Sequence, residues 1–259
     1  MTKYCYLLTE GAQDIAFLIK LLKYQGIKQI EKRSKVDSFW DEIIPKTFPY
    51  NDELNRQVPV PKFLEDNGLS IALQGAVGDT QLVNTIQEDL ALIQQEQLFG
   101  IGIILDADDR EPQERFDRIK TELEKLQLGL DIASNPGIIT QSEVKLGIFV
   151  LPDNQCKGTL ENILIECGEH NYQQLIELSR EYISKIDDSK LKSSDLKEIR
   201  KPAGKNKAII GGVSNILKPG RTLQVSLQDN DWIDNRTVNL DKIKLVREFL
   251  CQILDVTFQ

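Results

Sequence analysis

Residues 101–109 read IGIILDADD, an apolar, largely β-branched run that stops at three aspartates within four positions. A continuous apolar run of this length has the character of a strand buried on both faces of a parallel sheet. Its carboxyl end, where Asp106, Asp108 and Asp109 stand, is where open α/β sheets place their ligands. Two carboxylates about 4 Å apart repel by about 4 kcal/mol at an effective dielectric near 20, so the cluster calls for a compensating charge.

Outward from this run, the chain alternates strand and helix patterns. Tyr4 to Thr9 reads as a short strand. The following GAQDIAFLIKLLKYQG places Ile15, Leu18, Ile19 and Leu22 at i, i+3, i+4 and i+7, with Gly26 as the stop. Residues 31–68 carry a charged EKRSK and four prolines (Pro45, Pro49, Pro59, Pro61) and are expected to form an irregular insertion. Order resumes at a strand, Leu69 to Leu73, then a GAVGD turn and a helix from about Thr80 to Gln95 with Leu82, Ile86, Leu90 and Ile93 on one face. After DADDRE, Pro112 suits the first turn of a helix whose stripe is Phe116, Ile119, Leu123 and Leu126. Gly147 to Leu151 is a further strand, and TLENILIECG from Thr159 a short helix.

This alternation predicts an α/β domain over residues 1–168, with a mostly parallel sheet covered by helices on both faces. From residue 169 the pattern is helical and predicts a C-terminal helical subdomain packed on that domain. Leu175, Leu178, Tyr182 and Ile186 form one stripe there, and Ile243, Val246, Leu250 and Ile253 another.

The 259 residues are 41% hydrophobic and 28% charged, as in ordinary globular proteins. No apolar stretch approaches the roughly 20 residues that span a bilayer, and MTKYCYLLTEG has no secretory h-region, so a cytoplasmic protein with no membrane partner is expected. Cys5, Cys156, Cys167 and Cys251 lack CxxC spacing and read as reduced thiols. Cys156, Cys167 and His170 lack the ligand spacing of a zinc finger. His170, the only histidine, follows a glycine that reads as a helix stop, so a solvated helix-end residue is expected. The net charge of −8 argues against a nonspecific DNA-coating protein. Lys185 to Lys207 nevertheless carries eight Lys and Arg against four Asp and Glu, a local excess of +4.

Acids stand at two strand ends. Thr9-Glu10-Gly11 closes the first strand, with Asp14 one helical turn on; Asp106, Asp108 and Asp109 close the later one. In extended chain, residues i and i+2 point to the same side about 6.6 Å apart, so Asp106 and Asp108 can converge while Ala107 turns away. If the two strands are neighbours, Glu10, Asp14, Asp106 and Asp108 surround one spot. A hard divalent cation relieves their repulsion, and Mg²⁺ takes one or two carboxylates plus waters and substrate phosphates. The plainer reading makes these acids helix-N-terminal caps. Asp109 suits that role best, and Asp14 suits either.

EGxxD at the first strand end and DxD at a later one, here YLLTEGAQD and IGIILDADD, resemble the Toprim domain of topoisomerases, bacterial primases, small RNA-maturing nucleases and overcoming-lysogenization-defect nucleases. The stretch GIFVLPDNQCKGTLENIL and the later KNKAIIGGVSNILKPG are similar to uncharacterised stand-alone Toprim-like proteins. The resemblance implies a Rossmann-like fold and phosphodiester chemistry. Glu10 would be the general acid or base, and Asp106 and Asp108 would hold Mg²⁺ or Mn²⁺. Asp14 matches the extra acid of the lysogenization branch, where a second metal is plausible, and Glu161 of GTLE would lie near the site. The chain departs from that family's larger members: it has no zinc ribbon, no tyrosine in a topoisomerase-like context and no GxxxxGK[ST] loop. Arg110 follows DADD where a haloacid-dehalogenase phosphatase needs Thr or Val, and a receiver-like domain would reverse the acid counts of the two strands.

The expectation is a metal-dependent nuclease-like hydrolase acting on DNA or RNA. Lys197, Arg200, Lys201, Lys205 and Lys207 would meet the nucleic-acid backbone. The rival is a non-enzymatic module that binds a metal, a nucleotide, a protein partner or a second copy of the chain.

Overall fold

The computed structural model describes residues 2–47 and 60–257. Its sheet has six strands: β1 (Lys3–Thr9), β2 (Lys28–Ile30), β3 (Lys62–Asp66), β4 (Leu69–Gly75), β5 (Leu98–Asp106) and β6 (Lys145–Leu151), in the order β2-β3-β4-β1-β5-β6. β4, β1, β5 and β6 are mutually parallel, and IGIIL lies inside β5, between β1 and β6. The chain is thus α/β with a mostly parallel sheet, as its patterning predicted.

Side chains alternate along each strand, so the sheet feeds two cores. Cys5, Leu7, Ile71, Leu73, Ile104 and Phe149 face α1 (Ala12–Tyr24), α4 (Leu160–Asn171) and α8 (Asp241–Leu254). Tyr6, Leu8, Ala72, Ile101, Ile103 and Leu105 face α2 (Leu82–Leu92) and α3 (Pro112–Lys125). The stripes read for α1, α2 and α8 are buried, as are Phe116, Ile119 and Leu123 of α3. Each fully buried aliphatic side chain contributes about 1.5–3 kcal/mol. The glycines of FGIGI stand on the α8 face because that helix lies very close: a Cβ on Gly100 would come 2.7 Å from the Ile253 carbonyl oxygen.

The remaining helices, α5 (Gln173–Ser184), α6 (Gly204–Leu217) and α7 (Leu223–Asp229), pack beside α1 and α4. The C-terminal region is helical as expected, but its last helix is a layer of the sheet's own core.

Three expectations are corrected. The region 31–68 is not simply irregular: it contributes β3, paired antiparallel with β2 and β4, and short 3-10 turns that bury Trp40. The missed signal is Asn67-Gly68, a two-residue hairpin link between KFLED and LSIALQG, with Gly68 at φ +82°. Residues 48–59, including Pro49 and Pro59, lie outside the described residues. The stripe Leu175, Leu178, Tyr182 and Ile186 is not the buried face, since Leu178 and Tyr182 are exposed. α5 is rotated so that Ile176 and Ser179 turn inward, where Gly212 of α6 abuts Ser179. Gly168 does not stop α4, which runs on to Asn171; the absent side chain admits Ile176, within 2.7 Å of a Cβ placed there. His170 is exposed in the last turn, while Cys167 is buried and Cys156 exposed.

Candidate functional site

β1 and β5 end side by side, with Thr9 paired to Ile104, so the acids just beyond them meet at the carboxyl edge of the central sheet. Glu10 leaves β1 directly. Its Oε1 accepts the Asp106 backbone N–H at 3.2 Å and the Arg115 Nη2 at 2.7 Å. Arg115 also donates from Nε to the Asp106 carbonyl oxygen at 3.0 Å, tying α3 to both strand ends. Arg115 is 2% exposed, a cation at the base of the acid cluster. Arg115 was not singled out from the sequence. Its signal was a charge on the apolar stripe of α3, one residue before Phe116.

Asp14 accepts the Gly11 N–H at 3.0 Å and so does cap α1, yet it is also buried among the other acids. Burial, with the charges of Glu10 and Glu161 behind it, pushes its carboxyl up to about 7, partly opposed by the Gly11 N–H and by Lys207. Asp106 accepts the Leu160 N–H at 2.9 Å, from the first residue of α4. Burial raises its pKa strongly, and Asp14, Glu10 and Glu161 raise it further. Glu161, in the first turn of α4 and 2% exposed, accepts the Thr159 hydroxyl at 2.7 Å. Glu10 is raised by burial against the lowering pull of Arg115. The structure therefore brings together Glu10, Asp14, Asp106 and Glu161, drawn from three separate stretches of chain.

Asp108 is placed differently from the extended reading. β5 ends at Asp106, Ala107 is buried, and Asp108 turns into the left-handed region at φ +55°, its N–H bonded to the Gly158 carbonyl. It is exposed at the rim, where its charge reaches Glu10. Asp109 lies in the following turn and does not cap α3, whose preceding residue is Glu111.

A cleft of about 690 Å³ opens at this rim, between Asp108, Arg110 and Arg115 on one wall and the segment from Asp195 to Ala208 on the other. Of the basic residues read from the sequence, Lys201 and Lys207 line it, whereas Lys197, Arg200 and Lys205 do not. Lys201 pairs with Glu198 at 2.6 Å, and Arg200 bonds Ser193 at 3.2 Å.

The donor set is all oxygen and carboxylate-rich, which suits a hard cation such as Mg²⁺ or Mn²⁺. The raised carboxyls of Asp14 and Asp106 reflect burial first and the negative charge of the neighbouring acids second. Among the described residues, however, no three His, Cys, Asp or Glu side chains are gathered as a formed metal shell. Each buried acid is held by its own hydrogen bond, and Glu10 by a guanidinium.

The family model for a protein of unknown function, DUF3226, matches residues 4–253, and the chain belongs to that family. No curated protein matches. Among solved structures the chain is similar to a hypothetical protein, PH0156, from Pyrococcus horikoshii OT3. The identity is 15%, the coverage 97% of this chain and 95% of that one, and the TM-score 0.52, a likeness of fold alone. Among the described residues, no helix is long and apolar enough to cross a membrane.

Proposed function

We propose that this member of the DUF3226 family is a Toprim-like, divalent-metal-dependent hydrolase of phosphodiesters in nucleic acid, working in the cytoplasm. The observation that carries the reading is the meeting of Glu10, Asp14, Asp106 and Glu161 at adjacent parallel strand ends, beside a cleft edged by Lys201 and Lys207. Asp106 and Asp108 would hold Mg²⁺ or Mn²⁺, with Asp14 and Glu161 completing the shell or holding a second ion. When bound, the ion supplies charge stabilisation to the scissile phosphate and its leaving oxygen.

The chain's own groups supply the rest. Glu10, raised by burial, holds a proton more readily than an ordinary carboxyl, which suits transfer to or from water or the leaving group. Arg115 fixes the direction of that carboxylate and offsets part of its charge. Lys201 and Lys207 neutralise substrate phosphate at the cleft wall.

The test is incubation with single- and double-stranded DNA and RNA in Mg²⁺ or Mn²⁺, beside Glu10→Gln and Asp106→Asn. Cleavage by the unaltered protein and a loss of at least about 100-fold in each variant is expected, the scale of removing a general acid–base group. Cleavage that persists in both variants places the chemistry elsewhere. A second reading, a binding module without catalysis, is favoured by the commitment of Glu10 to the Arg115 guanidinium and of Asp106 to the Leu160 N–H. Under that reading no substrate is cut, yet Mg²⁺ still raises the melting temperature through binding linkage.

A further inference from the structure

The size of the cleft bears on what can reach the acids. A volume of about 690 Å³ equals a cube of roughly 9 Å edge. That lies in the range of sites that enclose one small molecule, about 300–1,000 Å³. A nucleic-acid duplex is far wider: its major groove alone is about 12 Å across. The outer wall is closely built. A Cβ on Gly204 would stand 2.2 Å from the Glu198 carbonyl oxygen and 2.6 Å from that of Ile199, so the turn from Glu198 to Gly204 is packed onto the start of α6.

The cations of the cleft are not equivalent. Arg115 is committed to Glu10, and Lys201 to Glu198. Arg110 stands 3.9 Å from Glu114. The Lys207 ammonium makes no hydrogen bond or ion pair among the described residues, yet its charge is felt by both Asp14 and Glu198. It lines the cleft beside Asp108 and Arg115 while its charge reaches the buried Asp14, so a phosphate entering the cleft would meet it. Ile199, Pro202 and Ala203 offer apolar surface for a sugar or base, and among the described residues no aromatic ring lines the cleft for stacking.

We propose that the cleft takes one or two unpaired nucleotides by their phosphate, with Lys207 as the principal contact and Lys201 second, and excludes duplex. This rests on the nucleic-acid reading above and narrows it to a single-stranded end or a free nucleotide.

The test is binding, measured without turnover in EDTA and again in Ca²⁺, by anisotropy of a 3′-labelled, 5′-phosphorylated oligothymidylate of eight residues. A blunt duplex and thymidine monophosphate serve as competitors. The single strand is expected to bind at least tenfold more tightly than the duplex. Its log K should fall with log salt at a slope of about −1.4, for two phosphates neutralised on a single strand. Lys207→Gln should weaken binding several-fold and flatten that slope by about 0.7. Lys197→Gln and Lys205→Gln, outside the cleft, should change neither. Competition by the mononucleotide as strong as by the oligomer assigns the cleft to a free nucleotide, and weaker competition assigns it to a strand end. Duplex bound as tightly as single strand, Lys207→Gln behaving like Lys205→Gln, or no binding of any probe overturns the proposal. Because none of these readouts needs cleavage, they fail independently of the hydrolase reading.

Discussion

At the scale of single residues, the acid cluster is held by one buried cation. Removing Arg115 strands the Glu10 carboxylate, a loss that is about 3–5 kcal/mol for a broken buried pair. Arg115→Met is therefore expected to lower unfolding stability by that order at pH 8. At pH 5 the loss should shrink, because burial already raises Glu10 and lets it take a proton and shed its charge. Urea unfolding at the two pH values separates this from a packing effect, which would be equal at both.

In the core under α2 and α3, Asp89 of α2 accepts the Tyr6 hydroxyl, and burial pushes its carboxyl up to about 6. A folded-state pKa above the unfolded value of about 3.9 means that the folded protein binds the proton more tightly. The associated stability is present below about pH 4 and fades as the pH rises through 6. Asp89→Asn keeps an acceptor for Tyr6 and should flatten the stability profile over that interval, read as melting temperature against pH. An unchanged profile would show that Asp89 titrates normally.

At the scale of elements, β5 is decided by two demands on the same few residues. Ile101, Ile103 and Leu105 fill the core under α2 and α3, while Gly100 and Gly102 leave room for α8 on the other face. Gly100→Ala forces a Cβ against the Ile253 carbonyl, a backbone atom that can move only with the helix. It is expected to cost about 1–3 kcal/mol, as over-packing does. Gly211→Ala is the contrasting case: nothing lies within 4 Å of its added Cβ, and α6 continues through it. There, alanine should stabilise by up to about 1 kcal/mol through helix propensity. Chemical unfolding of the two variants should give opposite signs.

At the scale of the whole molecule, the α/β portion and the C-terminal helices are bound by one core. Leu7, Ile104 and Phe149 of the sheet pack in the same cluster as Val246, Phe249, Leu250 and Ile253 of α8. A fragment ending at residue 168 would expose that face. It is expected to lack a cooperative thermal transition and to bind a hydrophobic dye, whereas the full chain melts in one step. A fragment that melts cooperatively would make residues 1–168 an independent domain.

The order of the four parallel strands and of α1 to α4 was legible in the sequence because each of these elements carries its own period, whereas the antiparallel β2 and β3 were not. Period 2 and continuous apolar runs marked the strands, and i, i+3, i+4 stripes marked α1, α2, α3 and α8. Glu10 and Asp106 were legible as site candidates for a related reason: a polar residue at the end of a buried strand is a local event. Three things were decided only by tertiary structure. The rotation of α5 depends on where α6 lies, since Ser179 turns inward against Gly212 while the apolar Leu178 is left exposed. The split between Asp106 on the floor and Asp108 on the rim depends on the turn that pairs Asp108 with Gly158. The pairing of Arg115 with Glu10 joins residues 105 positions apart. Local pattern reports which face a residue prefers; which charge meets which across the chain is a property of the packed whole.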